Sequence, residues 1–547
     1  MKRTKYDQER LLFRRQFVLG PRFLDGFPSW TRIDLPSGLH LTVHPDLPIS
    51  RASGSDDSIT LLGYILDPYH PEDRDADIIQ RLLKHLEEGG TRGTLIRLTY
   101  PLGGRWILLV IAGQERWLFH DACGHRQIFY TDAPRPFWCA TQPGILAKVM
   151  GLSMNRDTLR YYRTYRRKDP QYSWPGDTSP YPGIRRLQPN HLLDLRTRAV
   201  IRYWPEGDLT PRSIDEVVAE NAQLLRGIIE SASLRFRLSL GITGGRDTRT
   251  VLAASKSIRN QLYCFTFIWG NMNWKSKDIR VPSNLLTELR LPHHVIVCPP
   301  RMEKEFELIF RTNVTTAHDC YGPIVQGLAQ GHPQERVCML GLSLPILRVP
   351  TRRRLRHWRP LTDLENIDAE TLAWCTYRAD PFSHAAIRRW LSDVPRTNIH
   401  ILDLFYWEER EGSWEAMTLA EWDLAQDSFA PCNSRLFLTN GLSVPESDRG
   451  EPRFSFHESL MQHMWPEVLS APFNPPEELD ILSTVLTSLS QLREKIDRKS
   501  PPSMGSPAVR AFQRHPWLAS LGRIRWRATG STIPHRDIRP QRRRTER

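Results

Sequence analysis

The sequence predicts an α/β protein of two unlike halves, the second built on a parallel sheet and ending in a helical part. Three observations carry this. Residues around 97–150 hold short apolar runs joined by turn signals, which read as β structure. From Ser213 the pattern becomes helix, strand, helix, strand, helix, strand, as a parallel sheet with flanking helices requires. Between the first of those strands and the next helix lies a glycine pair, in "LSLGITGGRDTRTVLAASKS", residues 238–257.

Taken in order, "RWILLVIA" and "RWLFHD" are strands joined by "GQE", a hairpin signal. "DACGHRQIFY" is a turn and a strand, and "WCATQPGILAKVMGL" a strand entering a helix. Arginines and prolines fill residues 163–190, which read as a connector. "HLLDL" and "VIRYW" form a further short hairpin. "SIDEVVAENAQLLRGIIESAS" opens with a capping box, Ser213 to Glu216, and places Val217, Leu224 and Ile228 at helical spacing. "LRFRLSLGI" alternates as a strand does. "TRTVLAAS" is a helix, "QLYCFTFIW" a strand, "DIRVPSNLLTELRL" a helix and "HHVIVC" a strand. Residues from about 365 to 476 carry helical patterns. Beyond about 490 the chain turns polar and basic, the composition of a disordered tail, with one short amphipathic stretch in "AVRAFQRHPWLASLGRIRW".

With 547 residues the chain has room for two or three domains. No segment approaches the roughly 20 apolar residues of a membrane-spanning helix. The opening "MKRTKYDQERLLFRRQF" lacks the apolar core of a signal peptide, so a cytoplasmic protein is expected. Eight scattered cysteines without a C-x-x-C pair argue against a structural zinc and against disulfides. The net charge is +14, but from residue 501 onward eleven arginines face only Asp537 and Glu546, so the tail holds +9 of it. The remainder is mildly basic, which is weak ground for nucleic-acid binding.

The glycine junction has a chemical reading. A strand turning sharply into a helix leaves unpaired N–H groups at the helix start. Glycines let an anion reach those groups, and the helix dipole adds attraction. Thr243 and Thr248 can donate to phosphate oxygens beside Gly244 and Gly245. Bare phosphate would repel Asp247, so its presence implies a bridging Mg²⁺. The loop is not a Walker A motif, because no G-K-[ST] follows. The plain alternative is a tight turn whose aspartate caps the helix.

"ITGGRDTR" resembles the S-G-G-x-D-S loop of ATP-pyrophosphatases, in particular the asparagine synthetase-like family, with threonines for serines at 243 and 248. "KSKDIRVPSNLLTELRLPHH" is similar to the family's S-x-D segment, with Asp278 at the acidic position. "GGRWILLVIAGQERWLFHDACGHRQIFY" resembles the core of class II glutamine amidotransferase domains. "WCATQPGILAKVMG" and "LQPNHLLDLRTRAVIRYWP" are similar to the segments that follow it.

The resemblance implies an Ntn-like α/β sandwich over 1–150, of degenerate amidotransferase type, and a connector with a hairpin over 151–212. It implies an asparagine synthetase-like PP-loop (HUP-like) ATP-binding domain over 213–480, and a basic tail over 481–547. It further implies binding of ATP and Mg²⁺, adenylation of a carboxylate and attack by an amine. Thr243, Gly244, Gly245, Asp247, Thr248 and Phe267 would bind the nucleotide, Asp247 and Asp278 the metal, and Asp247, Arg348 and Glu408 would be catalytic. Partners would be a carboxylate and an amine or ammonia; a homodimer stays open.

Two departures stand out. Residue 2 is Lys2 and the first cysteine is Cys123, so no glutaminase activity is expected, as in β-lactam synthetases and lasso-peptide cyclases. The acidic loop expected near Gly341 reads "VCMLGLSLPILRVP", without a carboxylate, and "TRRRLRHWR" after it could clamp an acidic group or lie in solvent. Tyr406, Glu408, Glu409 and Arg410 could line the acceptor pocket; Asp427 and Pro431 fit the closing segment. Two alternatives follow: a non-catalytic relative that binds a nucleotide or a partner, and an RNA-modifying enzyme whose tail grips phosphates.

Overall fold

The computed structural model describes residues 8–36, 38–348, 367–377 and 379–476. Seventeen strands occur among them. In chain order they are β1 (Phe17–Gly20), β2 (Thr31–Leu35), β3 (Leu39–Val43), β4 (Ile49–Ser53), β5 (Ser58–Leu66), β6 (Gly103–Ala112), β7 (Glu115–His120), β8 (Phe129–Thr131) and β9 (Cys139–Ala140). There follow β10 (Ile184–Arg186), β11 (His191–Asp194), β12 (Val200–Arg202), β13 (Arg237–Gly241), β14 (Tyr263–Ile268), β15 (His293–Val297), β16 (Arg336–Met339) and β17 (Ser428–Phe429).

The first twelve strands make two antiparallel sheets, ordered β10-β8-β9-β1-β3-β2 and β12-β11-β7-β6-β5-β4. Strand alternation explains how they stack. On β6, Ile107, Leu109 and Ile111 point into a core shared with Phe17, Leu41 and Val43 of the other sheet. Trp106, Leu108 and Val110 point the other way, onto Ile78, Leu82 and Leu86 of the helix Asp75–Glu87. The outer face of the first sheet is covered in turn by Ile145, Leu146 and Ala147 of the helix Pro143–Met150. The result is a helix–sheet–sheet–helix sandwich. With both faces covered, β5 and β6 read as near-continuous apolar runs. Strand β10 comes from the stretch read as a connector, and β11 and β12 are the hairpin read after it; all three complete the two sheets.

The remaining five strands form one parallel sheet in the order β15-β14-β13-β16-β17. Renumbered within the sheet this is 3-2-1-4-5, a doubly wound arrangement. Helix α1 (Ile214–Ser233) leads into it. The Ser213 hydroxyl accepts from the Glu216 N–H, and the Glu216 side chain meets that hydroxyl at 2.8 Å instead of closing a reciprocal box. Helix α2 (Arg246–Ala254) follows β13, and α3 (Lys277–Glu288) follows β14. The last strand, β17, is two residues long and lies in a stretch that reads as helical. No helix of the described residues is long and apolar enough to cross a membrane.

Further on, Ile401–Phe405, Tyr406–Glu415 and Ala416–Trp422 run on as one helical rod whose middle ten residues are π-helical. The basic tail 481–547 and the segment "TRRRLRHWR" lie outside the described residues.

Candidate functional site

In a doubly wound sheet, ligands bind beyond the carboxyl ends of the strands, where the strand order reverses. Here that point lies between β13 and β16, and the glycine junction sits on it. A cleft of about 200 Å³ opens there. One wall is polar, made by Thr243, Asp247, Thr248 and Asp278. The other is apolar and aromatic, made by Ile242, Phe267, Trp269, Met272 and Trp422. Phe267 and Trp422 meet edge to face at 6.1 Å. Gly341 and its neighbours Leu340 and Leu342, at the end of β16, form the floor.

The loop geometry answers why glycines are there. Gly245 is the residue before α2, in extended conformation, and no side chain caps that helix. Its first N–H groups therefore have no helical partner. Neither Gly244 nor Gly245 has a positive φ. A Cβ at either would come no closer than 3.4 Å to its neighbours. Backbone strain and packing thus do not demand these glycines, and their lack of side chains leaves the backbone N–H groups open to close approach. Gly341 differs: a Cβ there would lie 2.6 Å from the Thr248 nitrogen. It lets the end of β16 touch the start of α2.

The polar groups are partly engaged with one another. Thr243 and Thr248 hydroxyls lie 3.2 Å apart, and the Thr248 hydroxyl accepts from the Thr243 N–H at 3.1 Å. The Gly245 N–H donates to the Thr243 hydroxyl at 3.2 Å. The Gly244 N–H donates to Asp278 Oδ1 at 3.0 Å, so Asp278 is tied to the loop. Arg348 Nη2 donates to Asp247 Oδ2 at 2.6 Å. Asp247 Oδ1 is buried with no partner among the described residues. Burial pushes the Asp247 carboxyl up; Arg348, then Arg246, pulls it back. An orphaned carboxylate oxygen beside an uncapped helix start fits a cation-bridged phosphate.

The loop is held from below. Arg249, fully buried, donates to the carbonyls of Ala471, Pro472 and Gly244. The Asn474 N–H donates to the Gly244 carbonyl at 3.0 Å, and Phe473 stacks beneath Arg246 and Arg249.

The structure corrects Glu408. It does not reach the cleft. It is completely buried and accepts from Arg202, Asn190 and Trp390, with Arg202 Nη1 at 2.5 Å. Arg202 and Asn190 outweigh burial and hold its carboxyl below the usual range. Glu409 is likewise enclosed, bonded to Gly176 and Tyr377, and Arg410 reaches Gln171 and lies 3.6 Å over Trp414. Asp427 pairs with Arg15 and Arg105 of the first half.

Two residues on the same rod were missed by sequence reasoning. Glu411 Oε2 accepts from the Ser343 N–H at 3.2 Å, in the loop just after Gly341. A carboxyl from another element thus meets that loop. Glu415 stands one π-turn further. Burial pushes both carboxyls up, and the negative charge of Asp247 adds to this. Cys123, the first cysteine, is fully buried, its thiol pushed up by burial and by the charge of Glu411.

No family model matches the chain. No curated protein matches it either. Among solved structures, the chain is similar to glutamine phosphoribosylpyrophosphate amidotransferase from B. subtilis complexed with ADP and GMP, at 10% identity and a TM-score of 0.20, over 61% of this chain and 76% of that one. It is also similar to a structure described as the allosteric regulatory enzyme of purine biosynthesis, at 10% identity and a TM-score of 0.22, over 64% of this chain and 72% of that one. Likenesses this distant say nothing of the activity.

Proposed function

We propose that the chain is an AMP-forming amide ligase, which adenylates a carboxylate and transfers the acyl group to an amine or to ammonia, with no glutaminase of its own. One observation carries this reading: an uncapped helix start with two sterically unneeded glycines, placed at the switch point of the parallel sheet and facing an aromatic slot. The slot between Phe267, Trp269 and Trp422 suits a purine base. The N–H groups at the start of α2 and the hydroxyls of Thr243 and Thr248 suit the pyrophosphate part of ATP. Asp247, and Asp278 beside Gly244, would hold Mg²⁺, which neutralises phosphate charge. Arg348, released from Asp247 when a cation takes its place, would meet the leaving pyrophosphate.

The test is ATP–pyrophosphate exchange with a panel of carboxylates, beside Asp247→Ala. Carboxylate-dependent exchange that the variant loses supports the reading. No exchange together with no Mg·ATP binding by calorimetry sinks it. One observation favours a second reading, a non-catalytic relative: the Gly244 N–H and Asp247 Oδ2 already have partners within the chain. Mg·ATP binding that is unaffected by Asp247→Ala would favour that reading.

A further inference from the structure

Away from the nucleotide cleft, three chemically apt side chains converge in the interior. Cys123 and His125 lie on the turn after β7, and Glu411 on the π-helical stretch 286 residues from His125. All three are fully buried. One donor atom from each lies within 4.8 Å of the others. His125 Nε2 and Glu411 Oε2 are 3.4 Å apart. Around a tetrahedral zinc, with bonds of about 2.0–2.3 Å, donors stand roughly 3.3–3.8 Å from one another. A small contraction would complete such a set.

The turn is braced for this. Asp121 Oδ1 accepts from the His125 N–H and from Asn433 Nδ2, each at 2.8 Å. Asp121 Oδ2 accepts from the N–H groups of Trp106 and Arg126. The Asn433 carbonyl oxygen accepts from the Cys123 N–H at 2.9 Å. These bonds hold the backbone of the turn that carries Cys123 and His125. Ser343 Oγ accepts from the Cys123 thiol at 3.4 Å, beside the cluster.

Two buried atoms of the cluster, His125 Nδ1 and Glu411 Oε1, have no hydrogen-bond partner among the described residues. A buried polar atom left so costs about 1–3 kcal/mol. A cation held by both oxygens of the Glu411 carboxylate would relieve Glu411 Oε1; His125 Nδ1, on the ring edge away from Nε2, would stay unpaired.

We propose that Cys123, His125 and Glu411 bind one zinc-like divalent ion, with Ser343 or a water as the fourth donor. Sulfur, nitrogen and carboxylate donors together favour Zn²⁺ over Mg²⁺ or Ca²⁺. A Cys123 thiolate, a Glu411 carboxylate and a neutral His125 would together balance the charge of M²⁺. The ion would pin the turn after β7 to the rod and to the loop after Gly341. The proposal is independent of ATP binding.

The test uses the full chain, expressed in medium supplemented with Zn²⁺ or with Co²⁺ and dialysed against EDTA. One equivalent of metal per chain is expected, and the cobalt form should show a thiolate-to-cobalt charge-transfer band. Cys139→Ser, which alters a buried cysteine with no such neighbours, should keep both. Cys123→Ser should lose the band and its metal. Metal retained equally by Cys123→Ser overturns the proposal. Because that variant could misfold, the wild-type protein supplies an independent measurement: folded, cobalt-grown protein without stoichiometric metal and without the band also overturns it.

Discussion

Two glycines of the cleft answer differently to the same methyl group. At Gly341 an added Cβ falls 2.6 Å from the Thr248 nitrogen and 2.8 Å from the Asp247 carbonyl carbon, both backbone atoms at the start of α2. That is about 0.8 Å short of the 3.4 Å at which ordinary contact begins. Backbone cannot swing aside as a side-chain tip can, so Gly341→Ala should cost about 1–3 kcal/mol of stability. At Gly244 the nearest atom to an added Cβ is Asp278 Oδ1 at 3.4 Å, and φ is not positive. Gly244→Ala should therefore leave stability unchanged or raise it by about 0.4–1 kcal/mol through the unfolded chain. The same methyl should crowd a bound phosphate and weaken Mg·ATP binding by roughly tenfold or more, about 1.4 kcal/mol. Urea denaturation reads the first quantity and titration calorimetry the second. A Gly244→Ala protein that binds Mg·ATP as the wild type does would refute the assignment of this loop to phosphate. A Gly341→Ala protein of undiminished stability would refute the close approach of β16 to α2.

Other outcomes follow from the same geometry. Glu408→Gln breaks a buried pair with Arg202 and should destabilise by about 3–5 kcal/mol in urea, with no change in nucleotide affinity per folded molecule. Arg348→Gln frees Asp247 Oδ2 and should strengthen binding of Mg²⁺ alone, measured by calorimetry without nucleotide. Burial, with a small addition from His294, lowers the His293 pKa to about 4; its ring bonds Thr266 and Ser283 at 2.9 Å each. A depressed histidine stabilises the fold above its unfolded value of about 6.5 and loses that contribution as pH falls through 4. Urea midpoints taken from pH 7 to pH 4 should therefore drop less steeply in His293→Asn than in the wild type.

Local signals in the sequence reached a good part of this molecule. The apolar run "RWILLVIA", the alternation in "LRFRLSLGI" and the helical spacing after Ser213 act over a few residues, and all survive in the fold. The glycine junction was legible because one short segment holds the strand end, the turn and the helix start. Strand β17 escaped because two residues carry no period, and its place is set by pairing with β16. The hairpin of β11 and β12 was legible in "HLLDL" and "VIRYW", whereas β10 read as part of a turn-rich link, since its partner β8 lies more than fifty residues earlier.

Glu408 was misplaced for a more specific reason. In an α-helix seven residues make nearly two turns, so Glu408 and Glu415 would share a face. Bonds closing from i to i+5 widen each turn, and seven residues no longer complete two. Glu411 and Glu415 then face together while Glu408 turns away to Arg202. No local pattern announces a π-helical stretch. Nor does the sequence show that Cys123 and His125, on one turn, meet a glutamate 286 residues later.

The segment Ala471–Asn474 underpins the glycine loop through Arg249 and through the Asn474 N–H. This sets a boundary for anyone shortening the protein. A chain cut at 470 would leave the Arg249 guanidinium inside the fold without the Ala471 and Pro472 carbonyls. It would also leave the Gly244 carbonyl without the Asn474 donor. A chain cut at 476 keeps all three contacts. The six residues between these two truncations carry the support for a loop more than two hundred positions earlier.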